Sequence, residues 1–273
     1  MVTKEQLLNW KVLKKSEGEI FATNAFVLLT SDFFPFSKIQ CALFKGNDRD
    51  IFDKKEYCGP LYEQIEAAYQ FVLRHINRSA EIEGLVRKDV YELPVGAIRE
   101  MIINAVCHRN FMDNSCVQVA IYDNRVEVTS PGMLFGGLTL EEAMNGRSKI
   151  RNRAIAETFS RMELIEAWGT GIRRILRRAD EYGLPTPEFM EIGDTFRVNL
   201  YKKADKKADK KFERQQLIIE YLQREESVSN REARAILGLA ESTTKRILKQ
   251  MVQDEILSES GQRKGKRYFL KKK

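Results

Sequence analysis

Three side chains in one short segment are of the types that acid–base chemistry uses. In REMIINAVCHRNF, residues 99–111, Glu100, Asn104 and His108 recur at every fourth position, so a helix would set all three on one side. Ile98, Met101, Ile102 and Ala105 form the neighbouring stripe, which would face a core. An acid, an amide and an imidazole in a row fit a catalytic site, the relic of one, or a solvated helix face. Spacing alone leaves all three open. Two glycine turns follow, SPGMLFGG at 130–137 and WGTGI at 168–172, the second opening a helix. Glycine there allows close backbone approach, and the free N–H groups of a helix start favour phosphate.

The elements that would position these residues read as mixed α/β. NAFVLL (24–29) and KIQCALF (38–44) are expected as buried strands. GPLYEQIEAAYQFVLRHI (59–76) is an amphipathic helix, with Leu61, Ile65, Ala68, Val72 and Ile76 at helical spacing and Pro60 inside its start. The helix carrying the polar row begins near Pro94. Residues 115–132 alternate as two strands around Asp123-Asn124, a hairpin. Helices are expected at 139–145, 151–162 and 170–182, and a last strand at 195–201.

Of the 273 residues, 43% are hydrophobic, enough for a proper core and too many for wholesale disorder. No apolar run approaches the ~20 residues of a membrane span, and the N-terminus is not a signal peptide. Cys41, Cys58, Cys107 and Cys116 show no metal-ligand spacing and read as mostly buried thiols of a reducing cytoplasm. With His75 and His108 as the only histidines, no Ser–His–Asp arrangement is supported. His75 reads as a surface or capping residue.

The net charge of +7 is unevenly spread. Residues 202–273 carry 20 Lys and Arg against 11 Asp and Glu, while the rest of the chain carries 26 against 28. All the surplus positive charge lies in the last quarter, which points to an acidic partner, nucleic acid foremost. That quarter begins with YKKADKKADKKFER (201–214), a charged stretch without Pro or Gly that reads as a tether, flexible or marginally helical. Three helices follow it. The first buries Leu217, Ile218, Tyr221 and Leu222; the second, capped by Ser229 and stopped at Gly238, buries Ala233, Ile236 and Leu237; the third buries Thr244, Ile247, Leu248 and Met251. A basic hairpin with Gly261 and Gly265 in its tip completes a winged helix-turn-helix. Ser242, Thr243, Lys245, Arg246 and Lys249 on the third helix, with Arg263, Lys264, Lys266 and Arg267 in the wing, are the expected DNA contacts. A solvated basic face and a protein-docking module are the competing readings.

The motifs PVGAIREMIINAVCHRNF, IYDNRVEVTSPGMLFGGLT, GRSKIRNRAIAETF, LIEAWGTGIRRI and GLPTPEF occur in that order. Together they resemble the divergent GHKL ATPase-like domain related to gyrase, MutL and histidine kinases. The likeness is greater still to the branch labelled transcriptional regulator or RecG-helicase C-terminal-like, and it spans residues 7–201. In that family an AlbA-type (Schlafen-like) DNA-binding domain normally comes first, and by resemblance this chain lacks it.

The resemblance implies an α+β sandwich of GHKL type with a small C-terminal winged helix. Residues 1–78 would be a connecting α/β segment packed on the ATPase-like domain at 79–201, with a charged linker at 202–211 and the winged helix at 212–273. It also implies ATP and Mg²⁺ as cofactors. Glu100 would polarise the attacking water, Asn104 would hold Mg²⁺, and Gly132, Gly169, Thr170 and Gly171 would line the nucleotide. The family's Asp-x-Gly-x-Gly box departs here to Ser130-Pro131-Gly132-Met133, which lacks the carboxylate that reads adenine. The segment with Arg147, Lys149, Arg151 and Arg153 would form a lid or dock a helix. No GxxxxGK[ST] occurs, so helicase activity is not expected. The expectation is a cytoplasmic prokaryotic transcriptional regulator that binds double-stranded DNA as a homodimer, away from membranes. The alternative is an ATPase acting on DNA.

Overall fold

The computed structural model describes residues 2–46, 50–83, 86–165, 169–203, 206–261 and 265–271. The chain divides into two compact units, Met1–Lys203 and Ala204–Lys273.

The first unit opens with α1 (Lys4–Asn9), the hairpin β1 (Leu13–Ser16) and β2 (Glu19–Ala22), and α2 (Asn24–Thr30). Next come β3 (Ile39–Phe44), β4 (Ile51–Tyr57), α3 (Leu61–His75), a second hairpin of β5 (Arg78–Glu83) and β6 (Val86–Tyr91), and α4 (Val95–Cys107). The hairpin β7 (Val117–Ile121) and β8 (Arg125–Pro131) leads into α5 (Leu140–Met144), α6 (Arg153–Arg161) and α7 (Gly171–Glu181), and β9 (Glu188–Ile192) and β10 (Thr195–Tyr201) end the unit.

Six strands form one sheet in the order β4-β3-β7-β8-β10-β9. Every pairing is antiparallel except β3 with β7. Strand period two sorts the side chains by face. Cys41, Val119, Val128, Val198 and Phe189 follow one another across the register on the inner face, where α3 and α4 pack. The outer face carries Glu127, Thr129, Arg197 and Asn199; Arg197 bonds Thr129 and pairs with Glu127.

Two expectations are corrected. NAFVLL is not a strand but α2. Its run of five apolar residues, 25–29, has no period that separates a strand from a buried helical turn. Here Leu28 and Leu29 are buried, with Ala25 half-buried on the same core, the i, i+3, i+4 pattern of a helix. The boundary at 78/79 is likewise absent, because parallel pairing of Ile39 with Val117 builds β3 and β4 into the same sheet as β7–β10. A crossover connection is invisible to local pattern. His75, expected as a surface or capping residue, is half-buried in the last turn of α3, with Nδ1 at 2.8 Å from the Phe71 carbonyl, a C-terminal capping contact, and Nε2 at 3.1 Å from Asp53.

Two of the four thiols are buried, Cys41 and Cys107, and burial pushes both up to about 12. Cys58 is exposed and Cys116 half-buried.

The second unit comprises α8 (Lys206–Arg224), β11 (Val228–Ser229), α9 (Asn230–Leu237), α10 (Glu241–Gln253), β12 (Leu257–Ser260) and β13 (Arg267–Leu270). Its sheet has the order β11-β13-β12. The stretch read as a tether is helical from Lys206 onward. Ser229 caps α9 in a reciprocal box with Glu232, and Gly238 ends it at φ +63°, the left-handed region glycine tolerates. Ile218, Leu222, Ala233, Leu248, Met251 and Tyr268 form the core. Leu217 does not join them; it is 44% exposed, one helical position off the buried stripe.

That difference is measurable. Ile218→Ala should lower stability by about 2–5 kcal/mol, as large core truncations do. Leu217→Ala should change it by less than about 0.5 kcal/mol. Urea unfolding of the full chain, with a probe on the second unit, separates the two; equal losses would contradict the placement.

Candidate functional site

Helix α4 is the spine of the site. Pro94 stands at its N-cap with φ −66°, already suited to a helix start, and nine of its thirteen residues are buried. Ile98, Ile102, Ile103 and Val106 are sealed in the core. Glu100 is also buried, which a charged side chain tolerates only with partners. It has two. Asn104 Nδ2 donates to Oε1 at 3.1 Å, and Arg174 Nη2 of α7 donates to Oε2 at 2.8 Å.

Helix α7 comes this close because glycine opens it. A Cβ on Gly171 would stand 2.5 Å from Glu100 Oε1 and 2.8 Å from Asn104 Nδ2, inside any real contact. A Cβ on Gly169, at φ +65°, would stand 2.7 Å from the Gly146 carbonyl oxygen. Glycine is therefore required at 169, where backbone stands in the way, and at 171 any larger residue would displace Glu100 and Asn104.

Beside this contact lies a cavity of about 170 Å³. Met101 and Ala105 of α4, Val128 and Val198 of the sheet, and Ile172 and Ile175 of α7 make apolar walls. Glu100, Asn104, His108, Gly132, Gly169 and Gly171 all line it, so the structure brings together nearly every residue expected there. Thr170 is the exception: it is not part of the wall, and its buried hydroxyl takes no hydrogen bond among the described residues. The mouth is framed by a 3₁₀ turn at Phe135–Gly137 and by Arg147, Ser148 and Lys149, the segment expected as a lid. Lys149 Nζ bonds the Gly136 carbonyl, and Arg147 pairs with Glu142. Arg151 ties the mouth to α4, donating to the carbonyls of His108 at 3.0 Å and Met133 at 2.6 Å. Arg153, grouped with these in the sequence, instead begins α6.

His108 sits at the C-cap of α4, where burial and then the Arg151 charge hold its imidazole below the ordinary 6.5. Spacing alone did not single out Arg174. The signal was available, since 171, 174, 175 and 178 share one face of α7 and a buried acid on α4 needs a cation opposite it.

In the second unit, α10 buries Thr244, Leu248 and Met251 and exposes Ser242, Lys245, Arg246 and Lys249; Thr243 is half-buried. Lys245 pairs with Glu241 at 2.7 Å, Lys266 with Glu259 at 2.8 Å, and Arg267 with Glu232 at 3.3 Å. Arg246 and Lys249 have no ion pair among the described residues. Arg263 and Lys264 lie outside the described residues, as does Trp168 of the second glycine turn.

Residues 114–200 match the family described as "Putative ATP-dependent DNA helicase recG C-terminal", and residues 212–258 match "Winged helix-turn-helix DNA-binding". The chain thus carries a RecG C-terminal-like HATPase domain followed by a winged helix-turn-helix. Helix α4, with Glu100 and Asn104, precedes the first match. No curated protein matches the chain. A solved structure, the DIP2311 protein from Corynebacterium diphtheriae, is similar in fold, with TM-score 0.64 and 20% identity. The similarity covers 99% of this chain, which spans 58% of the length of that one. Among the described residues no helix is long and apolar enough to cross a membrane, and no group of three or more His, Cys, Asp or Glu could hold a metal ion.

An ATPase-like domain is compatible with ATP and Mg²⁺ as a type. Two side chains at this site depart from what that pair uses, Glu100 and Ser130. The Glu100 carboxylate is occupied by the Arg174 guanidinium, which stands where an attacking water would bind. Asn104 donates its Nδ2 to the same carboxylate. At the strand end, the Ser130 hydroxyl is spent on the Ala105 carbonyl at 2.7 Å and offers adenine no carboxylate.

Two outcomes follow from these contacts. Arg174→Met alone should cost about 3–5 kcal/mol, because it strands a buried carboxylate, and Glu100→Gln added to it should restore most of the loss. Chemical unfolding of the three proteins reads this directly; equal losses in the single and double variants would contradict the pairing. The second concerns pH. The unfolded chain takes up the His108 proton near 6.5 and the folded chain only lower, so stability is full above that pH and falls as pH drops below it. The loss between pH 7.5 and 5.5 should be smaller in His108→Asn.

Proposed function

We propose that this protein is a DNA-binding transcriptional regulator whose first unit is a ligand-responsive part built on an ATPase-like fold. The observation that carries the DNA-binding half is the exposed face of α10, where Arg246 and Lys249 stand opposite the buried Thr244, Leu248 and Met251. Cations without a competing carboxylate are the ones that phosphates can recruit. Lys245, Lys266 and Arg267 would first have to leave Glu241, Glu259 and Glu232. Ser242 and Thr243, near the helix start, are placed to reach base edges, as hydroxyls on a recognition helix do. Pairing of two copies on a palindromic site would follow the usual two-fold logic. A cytoplasmic or nucleoid location in a prokaryotic cell agrees with this reading.

A ligand-responsive role for the first unit is supported by the cavity beside Glu100 and by the Glu100–Arg174 pair, which leaves no free carboxylate for water activation. The second reading, an ATPase acting on DNA with Glu100 as base and Asn104 on the metal, has the HATPase match and the adjacency of those two residues in its favour. It requires Arg174 to release Glu100. Sustained ATP turnover by the full chain, abolished in Glu100→Gln, would establish it over the regulator.

Replacing Arg246 and Lys249 by alanine should weaken duplex DNA binding and reduce the slope of log K against log salt by about 0.9 for each cation lost. Fluorescence anisotropy at several salt concentrations measures both. Unchanged affinity and slope would make the winged helix a protein-docking module.

A further inference from the structure

The cavity beside α4 has a charge pattern that its size makes informative. At about 170 Å³ it is comparable to an engineered apolar cavity of about 150 Å³ that binds benzene, so one ring or a compact pair of rings is the right scale. Most of the lining is apolar, with Val128, Val198, Met101, Ile172, Phe189 and Phe196 among it. Aromatic edges and branched aliphatic groups of this kind receive a flat ring.

The ionic groups are distributed unequally. Among the described residues Glu100 is the one carboxylate in the wall, and Arg174 already neutralises it at 2.8 Å. At the mouth Arg147 is engaged by Glu142, whereas among the described residues Lys149 has a carbonyl oxygen, that of Gly136, and no acid as its partner. The apolar chamber therefore opens past a cation that has no acid of its own. His108 adds no charge near neutral pH, since burial keeps its imidazole unprotonated.

We propose that this cavity binds a small aromatic acid, its ring among Val128, Val198, Phe189 and Phe196 and its acidic group on Lys149. The assignment rests on the reading of the first unit as ligand-responsive and names the class of ligand. The acid is a carboxylate or a sulfonate; both present a compact anion on a ring. Arg151 makes the site responsive, because it ties the mouth at Met133 to the end of α4 at His108. A ligand held by Lys149 would tighten the same segment.

The test uses the full chain and the fluorescent two-ring probe 1-naphthalenesulfonate, with neutral 1-naphthol as its uncharged counterpart. Saturable one-to-one binding is expected, with displacement by 1-naphthoate and none by ATP with Mg²⁺. Lys149→Ala should weaken the sulfonate about tenfold, the loss of one charged hydrogen bond, and leave the neutral probe unchanged. Ala105→Leu, which fills the chamber, should weaken both. The proposal is overturned by a non-saturable signal, by binding indifferent to both substitutions, or by displacement with ATP. Duplex DNA binding by the unsubstituted chain separates the outcomes: DNA binding without ligand binding rejects the ligand class alone, and ligand binding without DNA binding rejects the regulator.

Discussion

The first unit depends on one ion pair. Burying a carboxylate and a guanidinium costs several kcal/mol for each ion, and only good geometry returns it. Glu100 and Arg174 meet that condition, with side chains 7% and 17% exposed. The neighbouring residues follow from it. A side chain at Gly171 would push Glu100 and Asn104 aside where α7 brings Arg174 against α4, and one at Gly96 would displace the Arg178 guanidinium one turn further on. Asn104 supplies the second donor that the carboxylate needs. What looks in one dimension like a catalytic row is, in three, half of a helix–helix junction.

The same junction decides what the cavity can hold. A carboxylate already bound by a guanidinium repels neither an apolar ring nor an anion, and it attracts a divalent cation far less than a free one would. A fold associated with nucleotide chemistry has here been left with its walls and most of its glycines but a neutralised acid. The likeness to a family of ATPase-like domains and the departure in the site belong together, since fold carries no commitment to reaction.

Where the sequence has a clean period, the structure follows it. The hairpin at 117–131 turns at Asp123-Asn124, Pro94 starts α4, and Ser229 with Gly238 bounds α9. Five of the six residues expected at the site line one cavity, because a helix face and two glycine turns are local features. What local pattern does not encode is pairing at a distance. The union of β3 with β7, the partnership of Glu100 with Arg174 and the helical state of NAFVLL are all settled by contacts made elsewhere in the chain. Leu217 fails for a smaller reason: in a first helix with several adjacent apolar residues, the stripe can be drawn one position too wide.

The order of the sheet has a consequence for how the molecule comes into being. β3 must wait for β7, which lies 78 residues later by the register of Ile39 with Val117, and β10 enters between β8 and β9 only when Tyr201 has been made. Contacts of such sequence separation close slowly, whereas the three helices and short sheet of the second unit meet over much shorter separations. Phe196 and Val198, part of the cavity's lining, lie on that late strand. During synthesis, therefore, the chamber has no floor until the sheet is nearly finished, and a molecule that binds there reports that the first unit has folded to completion.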